Sequence, residues 1–291
     1  MSDPTSDALV SAEWVAERLD AFGRDDPSLR LLEVDIEPEN YDAGHVPGAT
    51  KLDWKRDLQD ATTFDVPTRT AFERLLGDVG ITADSTVVVY GDMMNWFAAY
   101  AYWLLTYYGH DDVRLLDGGR DVWTAHDRPT TTETPRFTSR SYAVDSLDGT
   151  VRADRPDVED AMRRGVPLVD VRTPEEYRGE ILAPPGWNEG VQRGGHIPGA
   201  VNVPWSQVVD DEGRFKPREE LAAIYREAGL DPGTEVITYC RIGERSALTW
   251  FVLSELLGYA DVRNYYGSWV EWGNSVGASI EKGQRAGVRR D

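Results

Sequence analysis

Cys240 is the only cysteine in the chain of 291 residues, and it stands in VITYCRIGERSALTWFVLSELLG between a β-like and a helix-like apolar run. Arg241 and Arg245 lie within five residues of it. A thiol at a strand end, just before a helix, meets inward-pointing backbone N–H groups, the positive end of the helix dipole and two guanidinium charges. All three favour thiolate over thiol and so point to a sulfur nucleophile. A free cysteine is also a small hydrophobe that commonly packs in a core, so the neighbours alone do not decide between the two.

An internal repeat does. TVVVYGDMMNWFAAYAYWLLTYYGHDDVRLLDGG (86–119) aligns without a gap to EVITYCRIGERSALTWFVLSELLGYADVRNYYGS (235–268), at a constant offset of 149. LLEVDIEPENYDAGHVPGATKLDW (31–54) is echoed by 168–205, where GHIPGA follows an insertion of about fifteen residues, ILAPPGWNEGVQRGG (181–195). Two homologous domains follow, 8–130 and 150–285, joined by an extended Thr-, Ser- and Pro-rich linker over 131–149. In the first copy Gly91 stands at the cysteine position and the loop reads GDMMNW, without arginine. Strand and helix survive in both copies while the loop chemistry differs, which favours a reactive role for Cys240.

The elements that position this loop are legible. LLEVDI, VPLVDV, TVVVY and EVITY are apolar, β-branched runs suited to buried parallel strands. The spacing predicts helices over 68–79 and 218–229, stopped by Gly80 and Gly229, and nearly all-apolar buried helices over 97–108 and 246–257. Each half is therefore expected to be an α/β domain with a central parallel sheet flanked by helices, with sites at the carboxyl ends of the strands.

CRIGERS, GHIPGA with an Asp-Val-Arg strand end upstream, and YYGSWVEW downstream together resemble the tandem-domain rhodaneses, thiosulfate sulfurtransferases, over about 8–285. The resemblance implies two rhodanese-like domains, an inactive first copy and a catalytic second one, with no cofactor and no metal. It implies ping-pong transfer of sulfane sulfur from thiosulfate, through a Cys240 persulfide, to a thiophile such as cyanide or a dithiol. Arg241, Ile242, Gly243, Glu244, Arg245 and Ser246 would form the N–H cradle, and Arg172 matches a substrate-binding arginine. One departure stands out: Ile242 occupies the place of a lysine in thiosulfate-using members, which leaves Arg245 as the expected cation for the sulfonate. Mercaptopyruvate-using relatives carry a neutral loop beginning Cys-Gly, unlike this one, and form the nearby alternative. Rhodanese-fold phosphatases use Cys-x5-Arg, one residue longer than Cys-x4-Arg here. A slowly turning sulfur carrier or redox-sensing binding protein is the alternative of a different class.

Other patterns carry less. GNSVG (273–277) matches a hydrolase elbow but no histidine follows it. His45 and His196, like Asp35 and Asp170, recur in both copies and read as structural. The insertion at 181–195 is expected to border the active-site mouth, and Trp103, Trp123, Trp250 and Trp272 are expected to fill cores or the contact between the domains. A net charge of −20, with 51 acidic against 31 basic residues, excludes nucleic acid as a partner. Only four of the basic residues are lysine, and an acidic, lysine-poor surface suits high salt. With a polar N-terminus, no long apolar run and one cysteine, a cytoplasmic monomer without membrane contact is expected.

Overall fold

In the computed structural model, residues 7–187 and 190–283 are described. The end of the second expected domain, 284–285, and two insertion residues, 188–189, lie outside them. The chain divides into two compact units. One runs to Gly149 and takes in Val209–Arg218; the other comprises Thr150–Val208 and the chain from Glu219. Each unit contains one five-stranded, wholly parallel sheet with helices between its strands. No helix among the described residues is long and apolar enough to cross a membrane.

In the first unit β1 (Leu9–Val10), β2 (Leu29–Asp35), β3 (Ala49–Asp53), β4 (Thr86–Tyr90) and β5 (Val113–Leu116) lie in the order β1-β5-β4-β2-β3. Helix α1 (Arg69–Asp78) begins at the Thr68 side-chain cap. Helix α2 (Trp96–Tyr107) is buried along nearly its whole length, as its apolar sequence demands. Helix α3 (Gly119–Ala125) follows β5. Residues 132–148 form no strand or helix, yet they are tied down rather than loose. Phe137 lies under the buried Arg30 guanidinium at 4.0 Å, Thr138 N–H donates to Asp25, Arg140 N–H donates to the Gly77 carbonyl, and the Tyr142 hydroxyl bonds His110.

In the second unit the order is β6-β10-β9-β7-β8, formed by β6 (Arg152–Ala153), β7 (Leu168–Asp170), β8 (Val201–Asn202), β9 (Val236–Tyr239) and β10 (Val262–Tyr265). Helices α4 (Pro174–Arg178), α5 (Arg218–Glu227), α6 (Glu244–Phe251) and α7 (Ser268–Asn274) follow in chain order. α6 passes into a π-turn over Val252–Leu256. The core joins Ile237 and Tyr239 of β9 to Leu168, Tyr177, Ile197, Trp269 and Trp272. His196 stacks on Tyr177 with its Nδ1 at the Tyr177 carbonyl, and His45 does the same on Tyr41 in the first unit.

The carboxyl end of β2 collects acids. Glu33 accepts from the Tyr90 hydroxyl and from Arg120, and Asp35 accepts from the Asp92 N–H at 2.9 Å. Burial first, then the neighbouring Glu33 charge, pushes the Asp35 carboxyl up to about 9 from 3.8. It is therefore protonated in the fold where the unfolded chain is ionised, so its stability contribution is complete below pH 3.8 and lost as pH rises towards 9. Asp35→Asn keeps the shape and removes the titration. Thermal unfolding of this variant is expected to show a smaller fall in Tm between pH 5 and 9 than the parent; an identical slope would contradict this account of Asp35.

Candidate active site

β9 delivers Cys240 to the carboxyl edge of the second sheet, where loops and helix starts converge. The residue is completely buried. Its Sγ accepts the Gly243 N–H at 3.2 Å. Gly243 has φ 96° and a Cβ there would press on Tyr266, so the turn that aims this N–H at sulfur requires glycine. The Gly243 carbonyl is held from behind by Asn264 Nδ2 at 2.9 Å, and the Ser246 hydroxyl donates to Asn264 Oδ1 at 2.6 Å and braces that amide. Ser246 thus shapes the loop from its outer side. Arg241, Ile242 and Glu244 are all buried beside Cys240. Ile242 places an apolar side chain where a lysine would supply charge.

Arg245 is committed to a carboxylate. Its Nη1 and Nη2 donate to Glu176 at 3.0 and 3.1 Å, a bidentate pair with both side chains buried. Glu176 is set in place by the start of α4, where it and Thr173 form a reciprocal capping box. Burial opposes both charges; attraction between them overrides it, holding Arg245 above and Glu176 below their ordinary values. Arg245, the cation that the sequence suggests for a sulfonate, thus has its charge paired with Glu176 within the protein. Arg172 is treated similarly. It donates to Asp170 at 3.0 and 2.6 Å and to the Gly195 carbonyl at 2.7 Å, and lies 4.5 Å from the Trp269 ring centroid.

Two further supports escape a reading of the sequence. The Cys240 and Arg241 carbonyls accept from the Trp269 and Val270 N–H groups of α7, at 3.1 and 2.8 Å. At the other end of α7, Arg193 from the insertion donates to the carbonyls of Trp272, Gly273, Ser275 and Ala278, at 2.7 to 3.0 Å. The described residues 190–195 thereby fasten onto the helix that backs the Cys240 loop.

The equivalent place in the first unit is closed. A Cβ at Gly91 would overlap the Val34 carbonyl, so this strand end excludes cysteine outright; the sequence shows only that cysteine is missing. Asp92, at the position of Arg241, turns its own carboxylate towards Ile36 N–H, Glu37 N–H and Asn40 Nδ2 at 2.8, 3.3 and 3.0 Å. Met93, Met94 and Asn95 all have positive φ, a loop path unlike that around Cys240. Gly213 of the segment 209–218 packs on Met94, and Phe215 N–H donates to Asp117.

A parallel five-stranded sheet flanked by helices is built twice, an α/β fold, and in the second copy a cysteine loop follows one strand end. The rhodanese-like domain model matches residues 11–126 and 154–275, and the chain belongs to the rhodanese family. A relative from Haloferax volcanii, provisionally named a thiosulfate sulfurtransferase, is 56% identical over 97% of this chain and 99% of its own. A sulfur carrier protein, TtuD, from Thermus thermophilus is 48% identical over 96% and 98% respectively. An anaerobic ergothioneine biosynthesis enzyme from Chlorobium limicola superposes with TM-score 0.86 at 26% identity, covering 98% of this chain and 72% of the other.

Removing Glu176 would leave a buried guanidinium without its counter-charge, at a cost of about 3 kcal/mol. Glu176→Ala is expected to unfold in correspondingly less denaturant. The double variant Glu176→Ala/Arg245→Met, which removes both charges of the pair, is expected to recover part of the loss. A double variant no more stable than the single one would contradict the pairing.

Proposed function

We propose that this protein is a sulfurtransferase that carries sulfane sulfur on Cys240. The Cys240 thiolate attacks the outer sulfur of thiosulfate, the S–S bond breaks, and the electron pair leaves with sulfite. A thiophile then attacks the terminal sulfur of the persulfide, and the thiolate is regenerated. The observation that carries this reading is the Gly243 N–H aimed at Sγ from a glycine-dependent turn: a hydrogen-bond donor placed on sulfur stabilises the anionic form before attack and after release. Membership of the rhodanese family and the names of the relatives support it.

Donor choice follows from charge. Arg172 and Arg245 are balanced by Asp170 and Glu176 and Ile242 adds no charge, and thiosulfate is held chiefly by the loop N–H groups. The first domain, closed at Gly91 and filled by Asp92, is assigned a structural role. A slowly turning sulfur carrier is the second reading, favoured by the Thermus relative's name.

Steady-state formation of thiocyanate from thiosulfate and cyanide separates the two. Multiple turnovers are expected, abolished by Cys240→Ser. Ile242→Lys is expected to raise kcat/KM for thiosulfate several-fold, and a parallel assay with mercaptopyruvate is expected to give the lower kcat/KM. Release of about one equivalent followed by arrest would assign the carrier role.

A further inference from the structure

Ser268 has φ 47° and is fully buried. A left-handed backbone is strained for a residue with a side chain, and such strain persists only where the surroundings enforce it. The repeat supplies an internal comparison. The position 149 residues earlier is Gly119, which takes φ 55° without that strain. The second copy therefore holds a serine in a conformation for which the first copy uses glycine.

The two copies also differ in what holds the N–H at the cysteine position. In the first, the Gly91 N–H donates to Asn95 Oδ1 at 3.0 Å, from within its own loop. A Cβ at Gly119 would overlap that same Asn95 oxygen, so the loop acceptor and glycine at 119 go together. In the second, Glu244 replaces Asn95, and the Cys240 N–H donates instead to Ser268 Oγ at 3.1 Å. The Ser268 hydroxyl proton is spent on the Tyr265 carbonyl at 2.6 Å, which turns an oxygen lone pair towards Cys240. The acceptor has moved from inside the loop to the neighbouring helix start, and the loop interior at Cys240 is left to the sulfur.

We infer that Ser268 is a positioning residue for the sulfur chemistry: its strained backbone places Oγ on the Cys240 N–H and so fixes the orientation in which Sγ meets the Gly243 N–H. The inference rests on Cys240 being the reacting sulfur. Ser268 itself makes no contact with donor or acceptor in this account.

Ser268→Gly isolates the effect, because glycine relieves the strain and removes only the hydroxyl. The variant is expected to keep or raise Tm, while kcat/KM for thiosulfate and the rate of Cys240 alkylation by iodoacetamide each fall at least tenfold, about 1.4 kcal/mol in the activation barrier. The KM for cyanide is expected to be unchanged. Ser268→Ala, which keeps the strain and loses the bond, is expected to lose both Tm and reactivity. Wild-type rates of alkylation and transfer in folded Ser268→Gly would overturn the inference. Should the parent fail to turn over thiosulfate, the donor assignment falls, and the alkylation rates alone decide the role of Ser268.

Discussion

Arg245 and Glu176 are both withdrawn from solvent, and charges so placed are tolerable only in hydrogen-bonded contact with each other. That requirement ties the start of α6 to the start of α4, two elements 69 residues apart in sequence. Between these anchors the six residues after Cys240 have little freedom. Gly243 must turn through positive φ, and its N–H can meet only the sulfur. A neutral contact in place of the ion pair would hold the loop less firmly, because a bidentate guanidinium–carboxylate fork fixes orientation as well as distance.

The pair also balances charge beside the loop. Positive residues are abundant around Cys240, yet two of them are matched by carboxylates inside the fold. Behind the loop, α7 takes up the Cys240 and Arg241 carbonyls at one end and is capped by Arg193 at the other. The insertion found only in the second copy thus serves the helix that backs the Cys240 loop.

Much of this was legible in the sequence. Strands ending at Asp35, Asp170, Tyr90 and Tyr239, the helices after them and the twofold repeat all follow from local apolar patterns and a constant offset. These features depend on neighbours along the chain, which a sequence displays. Partners distant in sequence do not show in that way. Glu176 reads as one acid in an acidic stretch until the fold brings it to Arg245. Ser268 gave one signal that could have been used: it aligns with Gly119, and glycine in one copy is a hint of positive φ in both. The closure of Gly91 by the Val34 carbonyl had no sequence signature, since absence of cysteine and exclusion of cysteine look the same in one letter. The grouping of Val209–Arg218 with the first unit likewise follows from tertiary contacts rather than from chain order.

The central claim is that the sulfur atom itself passes through Cys240. Intact-mass and peptide mass spectrometry of the folded protein after exposure to thiosulfate test it directly. The account predicts an added mass of about 32 Da, one sulfur atom, located on Cys240 and removed by cyanide. Folded protein that stays unmodified at Cys240 would contradict it.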